Sequence, residues 1–271
     1  MIGASAWLGD LLSRPAPLVI GAPPADFAAT TVTLHGETGA VVSGWLVRGQ
    51  EGRGAILLLH GVRANRLQMM ERARYFNAMG YSVLLIDMPA HGASPGERIT
   101  FGAHEARGVS AALAYLHATY PGQKIGVIGV SMGAAALVLA RPRTPELSAV
   151  VLESMYPTIE EAVADRIAVH VGKWATGFAP LLLWQLPLRT GVSAADLRPI
   201  AGIGAIHAPL LIAAGSNDLD TTLAETRRIF AAANAPKELW IVDGAGHEDL
   251  FHSYRSQYEA RVGGFVREHL R

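Results

Sequence analysis

The chain of 271 residues contains no cysteine. That absence excludes disulfides, thiolate metal sites and a cysteine nucleophile. An excess of either charge is missing too, since 23 Lys plus Arg stand against 23 Asp plus Glu. Nothing in the composition therefore steers the chain to nucleic acid or to an anionic membrane surface, and no nucleic-acid partner is expected. Lysine is confined to Lys124, Lys173 and Lys237, so arginine carries the basic side. Long apolar runs are almost lacking. Met1–Leu12 has no basic start and carries Asp10, so it does not read as a signal peptide. Ile167–Leu186 is long enough to span a bilayer, but His170, Lys173, two glycines and Pro180 interrupt it. No membrane span is expected, and a cytoplasmic protein is the default. His104-Glu105 does not extend to H-E-x-x-H, and no metal-ligand cluster is visible.

What is present is apolar material in alternating periods. Half of the residues are hydrophobic, enough for a sizeable core. Residues 1–28, rich in Ala, Pro and Gly, read as an arm. Thr31–Leu34 and Val41–Val47 read as strands joined by a turn. Ala55–Leu59, Tyr81–Ile86, Lys124–Val130, Ala149–Leu152, Pro209–Ala213 and Glu238–Val242 are short apolar runs typical of strands buried on both faces. Helical stretches fall between them at Arg66–Met79, Phe101–Thr119, Met132–Ala140, Thr222–Ala233 and Tyr254–Leu270. This alternation predicts an α/β fold, a mostly parallel doubly wound sheet with helices on both faces. Residues 157–205 break the rhythm with two helical stretches and several prolines, and read as an inserted helical lid. The core domain is then 29–156 and 206–271. In such sheets chemistry sits at the carboxyl ends of the strands.

Several motifs fall at those ends. Gly129-Val130-Ser131-Met132-Gly133 matches G-x-S-x-G, with a strand before it and a helix after it. A serine at so tight a turn has an exposed hydroxyl, and the amide of Met132 opens the new helix where positive dipole density accumulates. An ordinary glycine-rich turn is the plainer alternative. His247, after the last strand, suits a base that reaches the serine. Asp218, after Pro209–Ala213, suits the acid that orients the imidazole, although an aspartate there also makes a good helix cap. Asp220 and Glu153 compete for that role, with Glu153 second to Asp218. In His60-Gly61-Val62-Arg63, the turn can aim the Val62 amide at an oxyanion together with that of Met132. His60 and His91 read as loop braces. Arg63 and Arg66 read as ion-pair formers more readily than as substrate contacts. In the lid, Trp174, Phe178 and Leu182 are candidates for lining an acyl pocket, although the same residues could pack the lid onto the domain or form a homodimer face.

Five ordered blocks together resemble the α/β-hydrolase superfamily: His60-Gly61, Asp87 to Ser94, the turn at Ser131, Asp218 and Gly246-His247. The likeness runs from about residue 30 to the end. The segment Gly92–Gly102 is similar to serine esterases of the dienelactone-hydrolase-like group, with serine in place of the cysteine of dienelactone hydrolases proper and of the aspartate of haloalkane dehalogenases. The resemblance implies hydrolysis of a small-molecule carboxylic ester by a Ser131–His247–Asp218 triad through an acyl-enzyme, with no cofactor. An amidase, thioesterase or acyltransferase on the same triad is the alternative, and a binding protein that has kept only the fold is a further one.

Overall fold

Ala55–Leu59 reads AILLL and Ser82–Asp87 reads SVLLID, and every residue of both is buried. Runs apolar on both faces can only pair side by side in the middle of a covered sheet. The computed structural model describes residues 2–37, 39–141 and 147–270, with side chains from residue 5 onward. The first half of the chain comprises α1 (Ile2–Ser13), β1 (Ala16–Pro17), β2 (Ala29–His35), β3 (Val41–Val47), β4 (Ala55–Leu59), α2 (Met70–Ala78), β5 (Ser82–Asp87), β6 (His91–Gly92), α3 (Glu105–Thr119), β7 (Ile125–Val130) and α4 (Met132–Leu139). The second half comprises β8 (Ala149–Glu153), α5 (Ile159–His170), α6 (Ala179–Thr190), α7 (Pro199–Gly202), β9 (Leu210–Gly215), α8 (Leu223–Ala232), β10 (Lys237–Val242), α9 (Leu250–Ser253) and α10 (Arg255–His269).

Eight strands form one sheet in the order β10-β9-β8-β7-β4-β5-β3-β2. β3 runs antiparallel to both β2 and β5, and the other neighbours are parallel. The protein has the α/β-hydrolase fold. Successive residues of a strand feed opposite faces. Leu57, Leu59, Leu84 and Ile86 meet Val109, Leu113 and Leu137 from α3 and α4. Ile56, Leu58, Val83 and Leu85 meet Phe76, Tyr258 and Phe265 from α2 and α10. Among the described residues, no helix is long and apolar enough to cross a membrane.

Several boundaries differ from the periodicity, and the reasons are local. The helix expected from Phe101 begins at Glu105, because Phe101 (φ 56°) and Gly102 (φ 130°) turn the chain first. The buried Glu105 carboxylate holds that turn by accepting from the amides of Thr100 and Gly102 and from the Thr100 hydroxyl. The first turn of the stretch expected as Arg66–Met79 is a 3-10 turn, Arg66–Met69. The closing helix α10 starts at Arg255, after the separate α9.

The larger departure is at residues 1–28, expected as an arm. They contain the helix α1, which packs on α6 in the segment between β8 and β9. Gly9 allows the close crossing, since a Cβ there would meet Gln185 at 3.2 Å and Arg189 at 3.3 Å. Asp10 bridges outward to Arg98 at 2.7 Å and Arg189 at 3.5 Å. Composition suggested an arm because neither of these partners is near in sequence.

Candidate active site

The site is built on the turn between β7 and α4. Ser131 has φ 50° and ψ −113°, a conformation that costs a non-glycine residue roughly 1–3 kcal/mol. Close packing on both sides holds it there. A Cβ on Gly129 would lie 2.7 Å from the amide nitrogen of Ala134, and one on Gly133 would lie 2.6 Å from the carbonyl oxygens of Leu59 and His60. Only glycine lets β7, β4 and α4 approach so closely. The result is a serine hydroxyl raised above the carboxyl edge of the sheet.

His247 reaches it from the loop after β10. Its Nε2 lies 3.2 Å from Ser131 Oγ, and its Nδ1 lies 2.9 Å from Asp218 Oδ2. An ionised carboxylate can only accept, so Nδ1 carries the proton and Nε2 is left to accept from the serine hydroxyl. Asp218 is buried to its last atom. It also accepts from the Thr221 hydroxyl at 2.8 Å and from the amides of Thr221 and Asp220 at 2.8 and 2.9 Å. Burial works to raise its pKa, but His247 and the two Thr221 donors outweigh burial and hold the carboxyl below the usual carboxylate range. The capping role expected as an alternative belongs to Thr222, whose side chain forms a capping box with Glu225 at the start of α8.

The competing acids are engaged elsewhere. Glu153, at the end of β8, is buried beneath the site, where its carboxylate meets Arg72 Nη2 at 2.7 Å and accepts from the Tyr258 hydroxyl at 2.6 Å. Arg72 also grips Asp249 through Nη1 at 2.8 Å. Asp249 stands two residues after His247 and caps α9 by accepting from the His252 amide. The Glu153–Arg72–Asp249 chain therefore ties the His247 loop to the sheet. Arg72 and Tyr258 escaped sequence reading because they lie in helices with no motif, and only the short spacing from His247 to Asp249 hinted at an anchor. Asp220 is paired with Arg166 at 2.7 Å.

The braces sit below the loops. His60 Nε2 accepts from the Met88 amide at 3.0 Å, and its Nδ1 is 2.7 Å from the Gly61 carbonyl oxygen. Burial, helped by nearby His91 and Arg66, lowers its pKa to about 4, so the ring is neutral at ordinary pH. Arg66 forms a buried fork with Asp87, through Nε at 3.0 Å and Nη2 at 2.7 Å, and is an ion-pair residue. Arg63 (φ 58°) donates to the carbonyl oxygens of Leu11 and Arg14 at the end of α1.

A cavity of about 280 Å³ opens over Ser131. Val62, Met132, Tyr156 and Leu182 are among its walls, so the two residues expected to supply oxyanion amides border the same space as the serine. Trp174 and Phe178 do not line it. They lie on the outer surface, Trp174 at 76% exposure, in a 3-10 stretch that follows Gly172 (φ 118°). An apolar run without strict period does not tell which face turns inward. Among the described residues, no group of His, Asp and Glu is arranged to hold a metal ion.

A family model described as "Serine aminopeptidase, S33" matches residues 50–198 of the chain, more than half of it. The uncharacterized protein YqkD of Bacillus subtilis is 25% identical over 240 residues, 88% of this chain and 79% of that protein. The uncharacterized protein Rv2307c of Mycobacterium tuberculosis is 33% identical over 229 residues, 82% of this chain and 73% of that protein. Among solved structures, the esterase Pf2001 of Pyrococcus furiosus superposes with a TM-score of 0.79 at 24% identity, covering 96% of this chain and 99% of that one. At that identity the likeness speaks for the fold.

Proposed function

The chain belongs to the serine aminopeptidase family of α/β hydrolases, and we propose that within it the protein hydrolyses carboxylic esters through Ser131, His247 and Asp218. The observation that carries this reading is the unbroken hydrogen-bonded line from Asp218 through His247 to a strained Ser131, facing an apolar cavity. The esterase activity named for the Pyrococcus furiosus protein accords with it.

In this mechanism Ser131 Oγ attacks the ester carbonyl while His247 Nε2 takes its proton. The carbonyl oxygen becomes an oxyanion, received by the backbone amides of Met132 and Val62. The Met132 amide stands at the first turn of α4, where the helix end adds positive potential. Asp218 keeps the imidazole in the right tautomer and stabilises its cation. The intermediate collapses, and His247 returns the proton to the departing alkoxide. Water then repeats the cycle on the acyl-enzyme, with His247 as base, and the acid is released. Leu182 contributes to the wall that receives the substrate.

An aminopeptidase reading is favoured by the family's description alone. It asks for a carboxylate ready to hold a substrate ammonium group, because a buried charge needs a partner. The carboxylate that borders the cavity, Asp220, already pairs with Arg166. The ester reading needs no such group.

The test is labelling by a fluorophosphonate, with peptide mapping, and turnover of p-nitrophenyl esters by the protein and by Ser131→Ala. Labelling at Ser131 and a loss of turnover on the order of 10⁵-fold in the variant are expected. A well-folded protein that neither labels nor turns over an ester would sink the proposal.

A further inference from the structure

The helix α1 is placed where no surface arm would be. Its Leu8 and Leu12 border the same cavity as Ser131, together with Ile167 and Leu182 of the segment between β8 and β9. Beneath them Leu12 also borders a smaller recess with Phe101, Val163 and Leu182. The cavity is thus shut on one side by a helix more than 110 residues away from the serine in sequence.

Three sets of bonds fix that helix. Arg189 on α6 donates to the Ala6 carbonyl oxygen at 2.6 Å, and Gln185 donates to the Ser5 hydroxyl at 2.7 Å. Asp10 pairs with Arg98 at 2.7 Å. The Ile99 amide donates to the Ser13 carbonyl oxygen at 2.9 Å, and Arg63 reaches the carbonyls of Leu11 and Arg14. Arg63 directly follows Val62, so the same loop that borders the serine also holds the end of α1. A helix tied to α6, to the loop before α3 and to the loop after β4 is a fixed wall.

Resting on the ester-hydrolase reading, we infer that α1 is the wall that sets acyl-chain length, with Leu8 and Leu12 as the residues that decide it, and that the substrates are esters of an apolar acyl chain longer than butanoyl. An apolar pocket discriminates chains by the space it offers, and a methylene too many or too few changes binding measurably. A water needs only about 10–15 Å³ of space of this kind, so a cavity of about 280 Å³ has room for more heavy atoms than a butanoyl chain holds.

The test compares kcat/KM for p-nitrophenyl butanoate, octanoate and dodecanoate. The protein is expected to prefer octanoate to butanoate. Leu12→Trp fills the cavity and is expected to lower the octanoate-to-butanoate ratio at least tenfold. Leu8→Ala opens it and is expected to raise the dodecanoate-to-octanoate ratio at least fivefold, which keeps the test alive if the tryptophan variant does not fold. Trp7→Ala, on the outer side of the same helix, is expected to leave both ratios within twofold. Folded Leu12→Trp and Leu8→Ala variants with the ratios of the parent would overturn the role of α1 while leaving the ester reading intact. A parent that labels at Ser131 yet prefers butanoate would overturn the acyl-chain assignment. A parent that neither labels nor turns over any of the three esters would overturn the ester reading, and this inference with it.

Discussion

The floor of the site and its roof are built by different physics. The floor is the sheet edge, where β4, β5, β7 and β8 are buried throughout and ion pairs lie out of reach of water. The roof is α1, α5 and α6. In α5 only Ile159 is buried, and the ion pairs of Arg166, Arg198 and Arg228 are partly open to solvent. A buried pair broken in half leaves an uncompensated charge and costs several kcal/mol, whereas an exposed pair contributes about 1 kcal/mol or less. Ser131 thus stands on the most deeply buried part of the protein, and the loop of His247 is tied to it through Arg72. Above it, α5 is held by weaker ties, while α1 is bonded to α6 and to two loops.

Three measurements would break or sharpen that contrast. The largest effect is expected at Arg72. Arg72→Ala strands the buried Glu153 and frees Asp249, and should cost about 3–5 kcal/mol, read as a fall in the urea midpoint. A loss under 1 kcal/mol would mean that the floor is no more rigid than the roof.

The next effect is on acid stability. Folded His60 titrates at about 4 and unfolded histidine near 6.5. Between those values the unfolded chain binds the extra proton, so stability falls as pH drops from 6.5 toward 4, by at most about 3 kcal/mol. His91, lowered by its own burial, pulls in the same direction. Asp218 and Asp249 are held below the usual carboxylate range, so their losses come at lower pH. Urea midpoints that stay flat from pH 6.5 to 5 in both the parent and Asp165→Asn would contradict the buried neutral state.

The smallest effect is in the roof and has the opposite sign. Asp165 on α5 is raised to about 7, by partial burial first and then by Glu225 of α8, Glu161 and Asp220. Glu161 and Asp220 are themselves paired with Arg228 and Arg166. Here the folded state binds the extra proton between pH 3.8 and 7, so stability falls as pH rises through that window. Asp165→Asn should remove this opposing slope and stabilise the protein at pH 8 by less than about 1 kcal/mol, because solvent screens the cluster. An unchanged slope would show that the carboxyl groups do not meet.

The same division explains what the sequence disclosed. The strands, the turn at Ser131, and the positions of Asp218 and His247 were legible because each depends on local constraints: an apolar run, a glycine pair, a residue just past a strand. The role of Glu153, ranked second to Asp218, was not. It is held by Arg72, whose partners Glu153 and Asp249 lie 81 and 177 residues away. The roof was legible only as an interruption. Nothing near Asp10 announces Arg98 or Arg189, and nothing in Lys173–Phe178 announces that its aromatic rings face outward. Local patterns read well where backbone pairing dominates and poorly where long side chains choose the partner.

The five tryptophans fall on the same line. Trp45 and Trp240 are buried in the sheet, at 2% and 7% exposure, while Trp7, Trp174 and Trp184 stand on α1 and its neighbours at 62% or more. The protein's intrinsic emission is therefore two signals in one spectrum. A blue component, shielded from dissolved quenchers, comes from the sheet, and a red component open to them comes from the helices above it. A spectrometer can follow the sheet and the helices above it separately, with no label attached.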